Sequence, residues 1–400
     1  VAEGVDKLFY HIEMPLVKIV FEMERAGIAV DTEKLKALST EYRGEQRDLE
    51  SRIFELAGDT FNLNSTKQLQ NILFAQLKLP AIKKTKTGAP STDNESLTAI
   101  KQSHEIVPLI LKYREVEKLL STYIDKLPSH LGSDGRIHCS LNQIGTETGR
   151  FSCNEPNLQN IPKDEHIRAA FIPASGHLFI DADFSQIELR VIAHYNRDPT
   201  LVKAYQHGVD IHRQTAAGVL RKSVERITDD ERSMGKNLNF ALWYGMGAKT
   251  FSQRTGYTLE QAAKYREAFY QTYPTLKSTL ERCARQAARE GYIRNMFGRR
   301  RRFRDGNTFR AFNALIQSTA ADICKIALVR LSKKLPKDVR MLLVVHDEIL
   351  FEAPVEMAEK VKEVIVETME ILPKGVDGKV FSIPIKAEAK IGASWKEAKK

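Results

Sequence analysis

The sequence predicts an α+β fold, with helices segregated from an antiparallel sheet, on three observations. Helical patterns dominate residues 31–127 and 186–290. Two apolar runs, 341–345 and 349–351, read as strands joined by a tight turn. Residues 381–393 alternate like a further strand of the same sheet. With 400 residues and 42% hydrophobic content, the chain can bury a substantial core in two or three domains or subdomains. No apolar run approaches the roughly 18 residues of a membrane span, and the start, Val1-Ala2-Glu3-Gly4, has no signal-peptide pattern, so a soluble intracellular protein is expected. The net charge of +10 favours a polyanionic partner without identifying one. Cys139, Cys153, Cys283 and Cys324 lack the paired spacings of a zinc site or disulfide framework and read as reduced thiols.

In chain order, residues 1–30 form a helical pattern closed by Gly27 and read as a connection from an upstream domain. Asp31 is placed to N-cap a long amphipathic helix ending near Gly58. A second helix, starting at Asn64-Ser65-Thr66, should pair with it antiparallel. The polar stretch 83–92, with Lys83, Lys84 and Lys86, is either a tip that touches a nucleic-acid backbone or a solvated loop. Another helix covers roughly 107–127. After Ser133-Asp134-Gly135, short strands and loops take over up to Asp183, including the amide-rich loop 156–162, whose Asn and Gln side chains need backbone or bases as partners.

The stretch 176–190 reads as a strand running into a helix. Leu178, Phe179 and Ile180 suit a buried strand, so Asp183 falls at its end, on rigid backbone yet open to solvent and a cation. Ser185 and Glu188 have capping-box spacing. Arg232, Lys236, Phe240 and Tyr244 recur every fourth residue along one helical stripe. Two cations followed by two aromatics suit a polyphosphate with a planar base; the alternative puts the aromatics in the core and the cations in water. The run 299–304 either grips phosphates or edges a solvated hairpin. His346-Asp347-Glu348 sets two acids at a hairpin tip, a place where Asp is also common for local hydrogen bonding.

Together these constellations resemble the three polymerase motifs of family A DNA polymerases, the bacterial DNA polymerase I type. The matching residues are Asp183-Phe184-Ser185-Gln186-Ile187-Glu188-Leu189-Arg190, Arg232-x3-Lys236-x3-Phe240-x3-Tyr244-Gly245 and His346-Asp347-Glu348. Similarity extends over 61–127, 148–152, 156–162, Asp210-Ile211-His212 and 317–322, so nearly the whole chain is covered. The resemblance implies a right-hand fold: helical thumb 31–130, antiparallel-sheet palm 131–192 and 314–400, helical fingers 193–313. It implies a DNA-directed DNA polymerase of replication and repair that extends primer-template DNA with deoxynucleoside triphosphates. Such an enzyme would be a monomer off the membrane, in a bacterial or phage-host cytoplasm or an organelle matrix.

The resemblance also assigns roles. Asp183 and Asp347 would hold two Mg²⁺ ions, or Mn²⁺ in their place, about 4 Å apart, with Glu348 in support. Arg232, Lys236 and His212 match residues that hold the triphosphate, and Lys236 also protonates the leaving pyrophosphate. Gln186, Phe240 and Tyr244 match residues beside the incoming nucleotide, and Glu188 matches the acid that crowds the sugar 2′ position. Arg150, Asn313, Gln317 and His346 match contacts to the primer–template. Residues 1–30 carry no exonuclease acids, so no exonuclease is assigned to this chain.

Phe184 stands where the family has Tyr, Ser233 where a second Arg is common, and Gly235 where it has Ala; Ala241-Leu242-Trp243 replaces a smaller Gly-led run, and Arg310 falls one position late. Gly235 should weaken its helix by about 1 kcal/mol relative to Ala. These departures bear on fingers closure and fidelity. Two rivals remain. A single-subunit RNA polymerase needs room for a 2′ hydroxyl, which Glu188 denies; a catalytically dead nucleic-acid-binding protein has no use for the trio Asp183, Lys236 and Asp347.

Overall fold

The computed structural model describes residues 5–162, 164–304 and 306–399, so the opening Val1-Ala2-Glu3-Gly4 of the connecting segment lies outside the described residues. The chain divides into two units, Ile28–His138 with Ile161–Ile172, and Val1–Gly27, Cys139–Asn160 and Pro173–Lys400.

In the smaller unit, the Asp31 carboxylate accepts from the Lys34 N–H at 2.9 Å and caps the helix Thr32–Ala57, which ends at Gly58 with φ 68°. Leu35, Leu38, Tyr42, Leu49 and Ile53 form its buried face. That face packs against the helix Ile106–Leu119 and not, as expected, against the segment starting at Ser65. The segment starting at Ser65 runs as the helix Thr66–Gln70 and a π-helical stretch Asn71–Gln76, whereas Ile106–Leu119 presents Ile106, Val107, Ile110, Tyr113 and Val116. Three short strands pair antiparallel in the order Arg136–Ile137, Ile28–Val30, Phe171–Ile172. In the 83–92 loop, Lys83 is bound to Asp93 at 3.0 Å and Glu95 at 3.2 Å, while Lys84 and Lys86 are exposed.

The larger unit is built on a four-stranded antiparallel sheet: β1 (His177–Phe184), β2 (Arg340–Val345), β3 (Glu348–Pro354) and β4 (Ala387–Gly392), in the spatial order β4-β1-β3-β2. Phe179, Ile180, Ala182, Ile349, Leu350 and Phe351 are at most 1% exposed, so the central strands are core. Helices α1 (Ile187–Asn196), α2 (Ile211–Leu220) and α3 (Asp229–Leu242) follow β1. The segment Thr308–Lys334, whose helix α4 is Ala311–Lys334, is long and apolar enough to cross a membrane, contrary to the sequence expectation. It is a core helix: 83% of its most apolar window is buried inside the protein. In the loop 156–162, Gln159 Nε2 donates to the Val344 carbonyl at 2.8 Å, so this amide's partner is backbone. The final helix α5 (Trp395–Ala398) lies against β4 and β1.

Within the run 299–304, Arg299 does not edge a solvated hairpin. It turns inward from the hairpin of Tyr292–Arg294 and Arg300–Arg302 into a buried cluster with Glu13, Asp322 and Lys325. Lys325 Nζ donates to Glu13 Oε1 and to the Gln143 carbonyl, both at 2.7 Å. Asp322 accepts from Arg299 Nη2 at 2.6 Å and from Asn295 Nδ2 at 2.7 Å. Two cations against two anions leave the cluster neutral, which is what permits burial. Burial alone would raise the Glu13 pKa, but Lys325 and Arg299 bring it below the ordinary value.

Removing one member leaves charge without its partner. Lys325→Met should cost about 3–5 kcal/mol in chemical denaturation, and the double variant with Glu13→Gln should cost less than the single. A single-variant cost under about 1 kcal/mol would mean that water already screens the cluster.

Candidate active site

Antiparallel pairing of β1 with β3 sets Asp183 directly opposite Glu348, and β4 sets Glu388 on its other side. The β2–β3 turn consists of His346, in the left-handed region at φ 61°, and Asp347. The Phe184 N–H donates to the Asp347 carbonyl at 3.3 Å, so the residue after Asp183 is bonded to the other predicted metal ligand. Asp183 is exposed and Asp347 half-buried. Glu348 is 7% exposed and turned away from solvent towards Lys399, which forms an ion pair with it.

The sequence reading missed Asp181. Two residues before Asp183, it shares the same face of β1 and is 5% exposed. Trp395 Nε1 donates to its Oδ2 at 3.2 Å, and Lys399 Nζ lies 3.9 Å away. Burial, and then the neighbouring Glu348, push its pKa up to about 9. The available signal was an acid inside an apolar run at even spacing from Asp183. A cavity of about 540 Å³ opens beside these groups, lined by Asp181, Asp183, Ser185, Gln186, Lys390 and Lys399.

Burial also raises Asp347, to about 6, with Glu188 and Glu348 adding to the effect and Arg150 opposing it. A carboxyl held above its ordinary range by burial and acidic neighbours fits an added cation. An all-carboxylate donor set favours a hard ion such as Mg²⁺. Among the described residues no three His, Cys, Asp or Glu side chains converge as a metal cage.

Glu188 does not cap. Gln186 adopts the left-handed conformation, φ 54° and ψ 40°, and becomes the N-cap without a side-chain bond, so the Ser185–Glu188 box does not form. Glu188 instead accepts from Arg150 Nη2 on Oε1 and from the Tyr244 hydroxyl on Oε2. Gln186 Oε1 accepts from the Tyr205 hydroxyl at 3.1 Å.

Helix α3 opens with a Thr228–Glu231 capping box that the sequence reading overlooked, and it ends at Leu242, so Tyr244 lies in the turn beyond it. Lys236 is exposed, Phe240 is 55% exposed and Arg232 is half-exposed, while Met234, Leu238, Ala241 and Leu242 are buried opposite. Phe240 is therefore outside the core, and Trp243, fully buried, takes the core position. Arg232 Nε binds Asp210 Oδ2 at 2.7 Å; Asp210 Oδ1 caps α2 through the His212 and Arg213 N–H groups. A Cβ on Gly235 would fall 2.2 Å from the His212 carbonyl. The absent side chain thus lets α2 and α3 touch, a packing reason for the glycine that helix propensity alone does not reveal. Asn313 and Gln317 lie one turn apart on α4, both half-buried, and Asn313 Oδ1 is buried without a hydrogen-bond partner among the described residues. His346 is exposed, and Lys83, Lys84 and Lys86 belong to the smaller unit.

An acid whose pKa is raised by folding favours the fold in its protonated form. That contribution is complete below pH about 4 and is lost as the pH rises through about 6. In metal-free buffer, Asp347→Asn should therefore be more stable than the parent protein at pH 7.5, by roughly 3 kcal/mol, with the gap closing near pH 4. An equal gap at both pH values would remove the electrostatic explanation.

Residues 32–397 match the family model for DNA polymerase family A. The thermostable DNA polymerase I of Thermus thermophilus is 41% identical over 410 residues, covering 98% of this chain and 48% of the relative. DNA polymerase I of Geobacillus stearothermophilus is 38% identical over 413 residues, covering 98% and 46%. The chain spans about half the length of the curated relatives it matches. Among solved structures, the POL domain of Pol1 from M. smegmatis, in complex with DNA primer-template and dNTP, superposes with a TM-score of 0.91 at 34% identity, covering 99% of this chain and 72% of that one. With the fold, the acids at the sheet end and the family match spanning almost all of its length, the chain belongs to DNA polymerase family A.

Proposed function

We propose that this chain is a template-directed DNA polymerase. It adds deoxynucleotides to a primer 3′ end: the hydroxyl oxygen bonds to the α-phosphorus, the bond to the β-phosphate oxygen breaks, and pyrophosphate leaves. The observation that carries this reading is the β1–β3 register, which brings Asp183 and the Asp347 turn together at one end of the sheet. Asp183 and Asp347 hold divalent metal, Mg²⁺ by the hardness of the donors, with Glu348 supporting the turn from below. When bound, two such ions lower the pKa of the attacking hydroxyl and stabilise charge on the phosphates.

The remaining roles rest on the exposed face of α3. Arg232 and Lys236 bind the triphosphate, with Lys236 as the acid for the departing pyrophosphate, and His212 donates from α2. Phe240, Tyr244 and Gln186 shape the nucleotide pocket. Arg150, Asn313, Gln317 and His346 line the primer–template end, and the unpartnered Asn313 Oδ1 is an acceptor suited to a nucleic-acid donor. Lys84 and Lys86, with Lys83 once released from Asp93 and Glu95, meet the DNA backbone. In hand terms, 31–130 is thumb, 131–192 and 314–400 are palm, and 193–313 are fingers. The protein acts as a monomer, in a bacterial or phage-host cytoplasm or an organelle matrix.

Asp183→Asn and Asp347→Asn should each lower single-nucleotide primer extension with Mg²⁺ by at least about a thousandfold while primer–template affinity stays within a few-fold. Near-parental rates in either variant would defeat the metal assignment.

Arg150 and Tyr244 fix Glu188 from two sides, which suits a steric gate against the 2′ hydroxyl and disfavours the RNA polymerase reading. Glu188→Ala should raise the ratio of kcat/KM for a ribonucleotide over its deoxy counterpart by about tenfold or more, each tenfold being about 1.4 kcal/mol of lost exclusion. A ratio that stays put would leave Glu188 as a structural tie and reopen that reading.

A further inference from the structure

A buried polar chain runs behind the α2–α3 contact, and at Trp243, Asn239 and His212 its donors and acceptors follow from the chemistry of the groups. Trp243 Nε1 lies 2.9 Å from Asn239 Oδ1, and Thr215 Oγ1 lies 2.9 Å from the same oxygen. Asn239 Nδ2 lies 3.0 Å from His212 Nδ1. Thr215 Oγ1 also sits 2.8 Å from the Tyr273 hydroxyl. Trp243, Asn239, Thr215 and Tyr273 are all 0% exposed, so water cannot substitute for a missing partner among them, and His212, at 4%, is the one member of the chain with any exposed surface.

An indole N–H can only donate, so the Asn239 atom facing it must be the carbonyl oxygen. The amide nitrogen therefore faces His212, and an NH₂ can only donate. His212 Nδ1 must accept, which requires it to carry no proton. A neutral imidazole bears one proton, and the remaining place for it is Nε2.

We propose that Asn239, oriented by Trp243, is a positioning residue that locks His212 as the neutral Nε2–H tautomer, giving the nucleotide site a single directed donor for a triphosphate oxygen. The donor role rests on the polymerase reading; the lock does not. Neutrality is consistent with the surroundings: burial lowers the His212 pKa, Asp210 opposes this, and Arg232 and Lys236 lower it further. The charge for the triphosphate then comes from Arg232 and Lys236, while His212 supplies direction. Gly235 makes the geometry possible, because any side chain there would separate α2 from α3 and lengthen the Asn239–His212 bond. Trp243 and Gly235, two of the departures from the family pattern, both take part in the lock.

The test uses the full chain with ¹⁵N-labelled histidine, His212 being assigned by its loss in His212→Gln. Without DNA or nucleotide at pH 7, Nε2 should give a protonated, pyrrole-like resonance and Nδ1 an unprotonated, pyridine-like one. A protonated Nδ1, or an averaged pair, would overturn the lock. Asn239→Asp keeps acceptors for Trp243 and Thr215 but offers His212 an acceptor, so Nδ1 should become protonated; an unchanged Nδ1 would also overturn it. In a complex with dideoxy-terminated primer–template and the matching dNTP, the Nε2 resonance should shift while Nδ1 stays unprotonated. An unmoved Nε2 would overturn the donor role. Asn239→Leu should raise the KM for dNTP about tenfold with kcat within about threefold, a split that lost stability alone does not produce, and an unchanged KM would count against the proposal. Failure of the polymerase reading would appear separately, as absence of primer extension by the parent protein.

Discussion

Everything at the candidate site depends on the hydrogen-bonded ladder between β1 and β3. Side chains alternate faces along a strand, so a slip of one residue would move Asp183 to the opposite face and set it against an apolar neighbour instead of Glu348. The ladder is held because both strands are core: Ile180, Ala182, Ile349 and Phe351 have no exposed surface, and any other register would bury carboxylates in their place. The same alternation that presents Asp183 also places Asp181 two residues back, where Trp395 and Lys399 from the chain's last turn compensate it. The C-terminal segment is thereby part of the site's electrostatics.

A second dependence runs from the interior to Glu188. The cluster of Glu13, Arg299, Asp322 and Lys325 fixes the Arg299 side chain, and Gly149 lies so close that a Cβ would come within 2.5 Å of Arg299 Nε. Gly149, at φ 77°, is a position where glycine is required twice over, by conformation and by contact. The next residue is Arg150, which donates to Glu188, and Glu188 accepts in turn from Tyr244. A buried ionic cluster thus reaches Glu188 through one loop. The helices α2 and α3 show the same economy. Gly235 admits the His212 carbonyl, Asp210 caps one helix while pairing with Arg232 on the other, and Asn239 bridges the two internally.

What the sequence by itself determined is what a few neighbouring residues encode. Asp31 and Gly58 bound a 26-residue helix because a cap and a left-handed stop act within one turn. The apolar runs of β1, β2 and β3 and the acids at their ends were legible from alternation and turn chemistry, and the spacing of Arg232, Lys236 and Phe240 gave the outward face of α3. Tertiary structure alone decided which partners distant residues meet. Lys325 and Glu13 are 312 residues apart, Tyr244 and Glu188 are 56, and Arg150 and Glu188 are 38. Ser185 and Glu188 had the spacing of a cap, yet one left-handed residue, Gln186, shifted the helix start and released Glu188 to longer-range partners. Arg299 read as either phosphate-gripping or solvated because its counter-charges come from two other segments, and Gly235 looked costly because the carbonyl it accommodates belongs to another helix. Local propensity is a sum over neighbours, whereas burial and charge pairing depend on which surfaces the folded chain brings together.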